Sequence, residues 1–284
     1  MASLQDIRHR IRSVKSTKQI TSAMNMVATS RLRHAKEAAI ANRPYADKVM
    51  QVVQEIAASA GSDFSHPLLE KHPDGKKLIL LVTADKGLAG AYSSNACKAA
   101  EALAGTKEDV RMLIVGRKGV VHFKNRGYAI EQSYIGISER PVFEHARQIA
   151  RDLITRFKTG EIREVQMVYT KFISAISCEP QVVQLLPFQA DAAASGEVHA
   201  EYIYEPDAAS VLSALLPQYL YTTVYAALLQ SAASELSSRM NAMSNATDNA
   251  EELMGKLDLY YNKVRQAGIT NEITEIVGGA EALK

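Results

Sequence analysis

From Ser231 to Lys284 the sequence runs SAASELSSRMNAMSNATDNAEELMGKLDLYYNKVRQAGITNEITEIVGGAEALK, with no proline and with Gly255 as its first glycine. Leu229, Ala233, Leu236, Met240, Met243, Ala250, Leu253, Leu257, Tyr260 and Val264 recur at three- and four-residue spacing. That spacing lays an apolar stripe along one side of a helix, narrow enough to be a coiled-coil seam. A continuous helix over 229–277 would be about 70 Å long, more than a compact domain needs. Such a helix requires a partner along its length.

The other end of the chain makes the same demand. Residues 3–58 read as a second long helix, opening with Leu4, Ile7, Ile11 and Val14 in 3-4-3 order. The phase then slips through Thr17 to Thr21 and resumes with Met24, Val27, Leu32 and Ala35, which predicts a stutter in the supercoil. Pro44 predicts a kink near Asn42 to Tyr45, after which Val49, Val52, Val53 and Ile56 continue the pattern up to Gly61. Pairing the two terminal helices satisfies both stripes. A domain closing the chain between them makes that pair antiparallel.

The centre reads differently. After the linker GSDFSHPLLEKHPDGKK come LILLVTAD (78–85), a helix from Ala91 to Leu103, and VRMLIVG (110–116). A short helix at Gly119 to Asn125, a strand at Tyr128 to Ile135 and an amphipathic helix from Phe143 to Lys158 follow. VQMVYTKFI (165–173) and QVVQLLPF (181–188) complete the set, and 189–200 read as a loop. Strands alternating with helices predict an α/β layer with a largely parallel sheet. The expected division is 1–60 as N-terminal coiled-coil helix, 61–76 as linker, 77–200 as a Rossmann-like α/β domain and 201–284 as C-terminal coiled-coil helix.

Several function classes find little support. At 47% apolar, 23% charged and net charge +2, the 284-residue chain has the composition of a soluble protein. No continuous apolar run approaches the length of a membrane span. The opening MASLQDIRHRIRS carries charges where a signal peptide needs an apolar core. Cys97 and Cys178 are too few for a zinc site and read as reduced thiols. Arg8, Arg10, Arg12, Lys15, Lys18, Arg31, Arg33 and Lys36 make the first helix basic. An acidic protein partner or nucleic acid could face them, beside the plainer reading of a solvated face. No aromatic residue is interleaved for stacking, which disfavours nucleic acid.

The loop ADKGLAGAYSSN lacks both G-x-G-x-x-G and G-x-x-x-x-G-K-[ST], and no acid ends the second strand where a ribose contact belongs. The histidines, His122 and His145 among them, fall at no ligand spacing, and neither G-x-S-x-G nor a Cys/His pair is present. Met24, Met26, Met240 and Met243 read as adaptable packing. Ile273, Ile276, Val277, Gly278, Gly279 and Ala280, small or apolar at the end of a long helix, read as a partner surface.

Four stretches together resemble the gamma subunit family of F-type ATP synthase: IRHRIRSVKSTKQITSAMNMVATSRLRHA, TADKGLAGAYSSN, ASELSSRMNAMSNATDNAEEL and ITNEITEIVGGAEA. They stand in the family's order and span essentially the whole chain. The resemblance implies an antiparallel coiled coil of the terminal helices plus a central Rossmann-like α/β domain. It implies a non-catalytic rotary shaft that couples the membrane c ring to the catalytic beta subunits. The implied partners are three alpha and three beta subunits, the epsilon subunit and the c ring; no cofactor is implied. By motif match, Arg265, Gln266, Thr270, Glu272 and Glu275 resemble the catch that grips beta-subunit loops. Lys18, Met24 and Arg239 resemble shaft contacts. Ile273, Ile276, Val277 and Ala280 resemble the apolar tip turning in an alpha–beta collar. Tyr202, Tyr204 and Glu205 resemble the foot toward the c ring and epsilon.

The resemblance also implies a peripheral position on the cytoplasmic face of the plasma membrane. Pro217 departs from an uninterrupted helix and predicts a kink or helix start at 217–218. The cysteine-bearing insertion of the chloroplast relatives is absent, so thiol control is not expected. The competing reading is an α/β nucleotide- or phosphate-binding enzyme that dimerises through its terminal helices.

Overall fold

The computed structural model describes residues 4–59, 66–189, 205 and 207–281. Its elements in chain order are α1 (Leu4–Ser59), β1 (Lys76–Val82), α2 (Tyr92–Ala104), a 3-10 turn (Lys107–Asp109), β2 (Val110–Val115) and α3 (Arg117–Asn125). Then come β3 (Ala129–Tyr134), α4 (Phe143–Lys158), β4 (Ile162–Ser174), β5 (Ser177–Leu186) and α5 (Ala208–Glu281). By mutual contact the chain forms two compact units, Met1–Ala28 with Met240–Lys284, and Thr29–Arg239.

The Thr29–Arg239 unit is built on one five-stranded sheet in the order β3-β2-β1-β4-β5. The β1–β2, β1–β4 and β2–β3 pairs are parallel, and β5 returns antiparallel along β4. The run LILLV of β1 is buried on both faces, as an internal parallel strand requires. Leu78, Leu80 and Val82 face a core shared with Ile149, Leu153 and Phe157 of α4, Leu212, Leu216 and Leu220 of α5, and Val53 and Ile56 of α1. Ile79 and Leu81 face the opposite side, with Ala96 and Ala100 of α2 and Phe123 of α3. This alternation is the period-two geometry of a strand with both faces covered.

In the unit of residues 1–28 and 240–284, two helices pair along their length. Arg8 Nε donates to the Tyr261 hydroxyl (2.9 Å), Lys18 Nζ meets Glu251 Oε1 (2.9 Å) and Thr247 Oγ1 donates to Thr21 Oγ1 (2.8 Å). Asn25 Nδ2 donates to the Met240 carbonyl (3.2 Å). Partner numbers fall as α1 advances, so the pair is antiparallel, as the two stripes demanded.

The seam itself departs from expectation in two places. Along α1 the least exposed positions are Leu4, Ile7, Ile11, Val14, Lys18, Thr21, Asn25 and Ala28, with no break in the 3-4 alternation. The expected stutter is absent: polar residues occupy seam positions there, and Val27 is 50% exposed. On α5 the seam passes through Met243, Thr247, Ala250, Met254, Leu257, Tyr261, Val264 and Gly268. Leu253 and Tyr260, expected in the stripe, sit one residue off it and are each 46% exposed.

Neither proline ends its helix. Pro44 lies inside α1 and Pro217 inside α5, which begins at Ala208. Each removes one backbone bond, but the flanking turns are fastened by core contacts, through Val53 and Ile56 in one case and Leu212, Leu216 and Leu220 in the other. The helix start expected at 217–218 therefore falls at Asp207. Its side chain accepts from the Ser210 N–H (2.9 Å) and the Ser210 hydroxyl (2.8 Å), a cap that holds its carboxyl below the usual range. By length and composition α5 also contains a stretch of 18 residues apolar enough to span a membrane. Here Leu216, Leu220, Val224 and Leu228 are buried in the core.

Candidate functional site

A doubly wound sheet binds ligands where neighbouring strands lead off to opposite sides, here beyond the C-terminal ends of β1 and β4. In this chain α5 fills that place. Gln230 Oε1 accepts from the Phe172 N–H (3.2 Å) and Ser231 Oγ accepts from the Thr170 N–H (3.3 Å). Ser234 Oγ donates to the Thr170 carbonyl (3.1 Å), and Ser237 Oγ donates to the Ala175 carbonyl (2.6 Å). Tyr92 closes the floor with Ala84 and Ala89. Burial, then the nearby Glu235 carboxylate, holds its phenol strongly toward the neutral form.

The first amides of α3 are also taken. At the start of α3, the Arg117 N–H donates to Asp85 Oδ1 (3.2 Å), Lys118 to the Ala84 carbonyl (3.0 Å) and Gly119 to Thr83 Oγ1 (3.0 Å). Asp85 Oδ2 accepts from Gly136 (2.8 Å) and Ser138 (3.3 Å). A helix N-terminus attracts anions only while its N–H groups are free. Asp85 acts here as the chain's own anion.

Beside this crevice lies a cluster of ion pairs. Glu235, fully buried, pairs through Oε1 with Arg239 (2.7 Å), one helical turn on. Burial pushes the Glu235 carboxyl up, and the Arg239 guanidinium opposes that shift. Glu139, on the loop between β3 and α4, meets Arg31 (2.6 Å), Lys86 (3.3 Å) and Arg239 (3.4 Å). The sequence reading did not single out Glu235, Glu139 or Asp85. Glu235 and Arg239, spaced i,i+4 inside an otherwise small and apolar stretch, were the one local signal available.

The remaining anticipated residues fall into distinct settings. Lys18 occupies a seam position and is paired with Glu251. Met24 is half-buried, whereas Arg239 is 6% exposed and turned onto partners in its own chain. Arg265, Gln266, Thr270, Glu272 and Glu275 are all exposed. Among the described residues, Arg265, Glu272 and Glu275 form no ion pair. Thr270 Oγ1 donates to the Gln266 carbonyl (3.0 Å).

Past Gly268 every described side chain up to Ala280 is exposed, including Ile269 (49%), Ile273 (56%), Ile276 (71%) and Val277 (62%). At about 100° per residue, Ile269, Ile273, Ile276 and Ala280 share one side, rotated roughly a third of a turn from the seam that ends at Gly268. The apolar side of the tip is therefore a separate surface from the intrachain seam. Glu205 is exposed in a bend, while Tyr202 and Tyr204 lie outside the described residues.

Comparison with known proteins agrees with this architecture. The model of the family described as ATP synthase matches residues 3–283. The ATP synthase gamma chain of Desulforamulus reducens is 44% identical over 284 residues, covering all of both chains. A chain from the central stalk and c ring of Tetrahymena thermophila mitochondrial ATP synthase superposes with a TM-score of 0.62 at 28% identity, covering 80% of this chain and 99% of that one. A chain from the Euglena gracilis mitochondrial enzyme, at 17% identity, shares the fold with a TM-score of 0.69 over 99% of this chain and 94% of its own. On the full-length match and this level of identity, the chain belongs to the ATP synthase gamma chain family.

Proposed function

We infer that this chain is the central rotary shaft of an F-type ATP synthase, coupling rotation of the c ring to conformational cycling of the beta subunits. The observation that carries the reading is the pairing of a two-helix rod, whose last turns are exposed on every side, with an α/β layer whose ligand crevice is filled by its own helix. A rod of two seam-packed helices resists twist and bending better than one helix. A filled crevice leaves the chemistry to other subunits, so the chain is a non-catalytic subunit. Family membership supports three alpha and three beta subunits, epsilon and the c ring as partners.

Rotation works through differential contact. A shaft that presents a different side to each beta subunit stabilises a different conformation in each, and only such a difference can shift their affinities for ADP, phosphate and ATP. Arg265, Gln266, Thr270, Glu272 and Glu275 serve as the catch on beta-subunit loops. Met24 meets the ring from beside the seam, Lys18 contributes from a seam position where Glu251 holds it, and Arg239 acts from within its ion cluster. Ile273, Ile276, Val277 and Ala280 turn in an apolar collar, where surfaces without directional hydrogen bonds can slide. Tyr202, Tyr204 and Glu205 belong to the foot. The complex sits peripherally on the membrane, at its cytoplasmic face.

Co-expression with bacterial alpha and beta subunits tests the reading. A stable assembly whose ATP hydrolysis drives rotation of a bead attached to this chain is expected; an alpha–beta ring that forms and hydrolyses ATP without binding it would overturn the assignment.

A further inference from the structure

We propose that Glu139 is a positioning residue for torque transfer: with Arg31, Lys86 and the Glu235–Arg239 pair it locks α1, α5 and the loops after β1 and β3 into one node. The proposal rests on the rotor reading above. One carboxylate on the short loop between β3 and α4 receives three cations from three different elements, Arg31 of α1, Lys86 of the β1–α2 loop and Arg239 of α5. Arg239 in turn binds Glu235 and donates to the Gly87 carbonyl (3.4 Å). The two loops are tied to each other as well: the Asp85 N–H donates to Ser138 Oγ (3.1 Å), and the Ser138 N–H donates back to Asp85 Oδ2 (3.3 Å).

Packing at this level cannot supply the same constraint. A cleft of about 330 Å³ opens between α1, the Glu139 loop and α5, bordered by Ala35, Ala38, Ala232 and Leu229. Small side chains around an open cleft leave little interdigitation to resist rotation of a helix about its axis. The short charge-assisted bonds of Arg31 to Glu139 and of Arg239 to Glu235 do resist it, because they are directional, and the Arg239–Glu139 ion pair adds attraction without a hydrogen bond. Stability alone is a poor reason for such a cluster, since buried ion pairs are often no better than well-packed apolar groups. What the charges provide here is fixed geometry. With the node intact, load entering through the sheet reaches α1 and α5 together; without it, α1 can turn against the loop it leans on.

The test uses the complete enzyme in lipid vesicles with a potential-sensitive dye, which reads pumping whichever cation is carried. Glu139→Gln keeps the volume and removes the charge. Assembly and ATP hydrolysis within about twofold of the parent are expected, with the potential generated per ATP lowered at least about threefold. Glu139→Asp, which keeps the charge, should recover most of the loss, a rescue that a purely volumetric role would not give. Parental coupling in both the Gln and Ala variants overturns the proposal. Should Glu139→Gln fail to assemble, Arg31→Gln, at a partly solvated side chain, decides in its place: a comparable coupling loss supports the node and parental coupling refutes it. If the parent enzyme itself does not pump with this chain in place, the rotor reading fails, separately from the node.

Discussion

Gly116, at the end of β2, has φ +92°, and a Cβ there would lie 2.2 Å from the Thr83 carbonyl oxygen. No relaxation of a side chain relieves a contact with backbone. The same turn lets the Gly119 N–H reach Thr83 Oγ1, which itself donates to the Val115 carbonyl (2.8 Å). Gly116→Ala is therefore expected to cost about 3 kcal/mol or more, combining backbone strain with a clash. Gly127 also has positive φ (+75°) but nothing within 4 Å of its added Cβ. Gly127→Ala should cost only about 1 kcal/mol, the strain alone. Denaturant titration of the two variants checks the contrast, and equal losses would count against the close approach of Thr83. Cys97 illustrates a quieter residue-scale effect: burial pushes its thiol up to about 12, which makes it a packing residue with almost no thiolate near neutral pH.

At the scale of elements, the seam decides which residues hold the helices together. Ile7 is 1% exposed within it, while Val27, apolar and at plausible spacing, is 50% exposed. Ile7→Ala should therefore cost about 2 kcal/mol or more and Val27→Ala within about 0.5, read from the loss of helical ellipticity on heating. Comparable shifts would mean that the seam runs elsewhere. The same pair shows what a sequence can and cannot reveal. Hydrophobic spacing exposed both helices, their pairing and the α/β alternation, because those depend on which residues avoid water. It misplaced the seam at Lys18, Thr21 and Asn25, where polar side chains hold seam positions by bonding across to Glu251, Thr247 and the Met240 carbonyl. Polar groups at a seam are visible only once their partners, more than two hundred residues away, are known. The filled crevice was illegible for the same reason. The missing glycine fingerprint argued against a nucleotide, but nothing local tells that Ser231 and Ser234 would bond to β4. The helix start expected at Pro217 was over-read, since core contacts on either side of it outweigh one lost helical bond.

For the whole molecule, the distribution of satisfied and unsatisfied groups separates what is structural from what is offered to a partner. Asp85, Glu139, Glu235 and Arg239 are all paired within the chain, although Glu235 Oε2 and Arg239 Nη1 make no hydrogen bond among the described residues. Arg265 and Gln266 are exposed, and Arg265, Glu272 and Glu275 form no ion pair among the described residues. Charges left free beside a seam cost little in the isolated chain, so removing them should leave its folding almost unchanged. Their value then lies in contacts made only in the assembly. Arg265→Ala combined with Gln266→Ala should leave the thermal midpoint of the isolated chain and the yield of complex close to the parent. Coupled ATP turnover should fall several-fold, roughly the loss expected when a contact made in only part of the cycle is removed. The decrease should deepen under load, such as a large bead on the rotor, because a weaker grip slips at lower torque. Ile273→Ala, on the apolar side of the tip, provides the contrast: a sliding surface that loses one methyl-rich side chain should change turnover by less than about twofold. A double variant that turns over at the parental rate under load, or an Ile273→Ala variant more damaging than the double, would reverse the assignment of grip and bearing along α5.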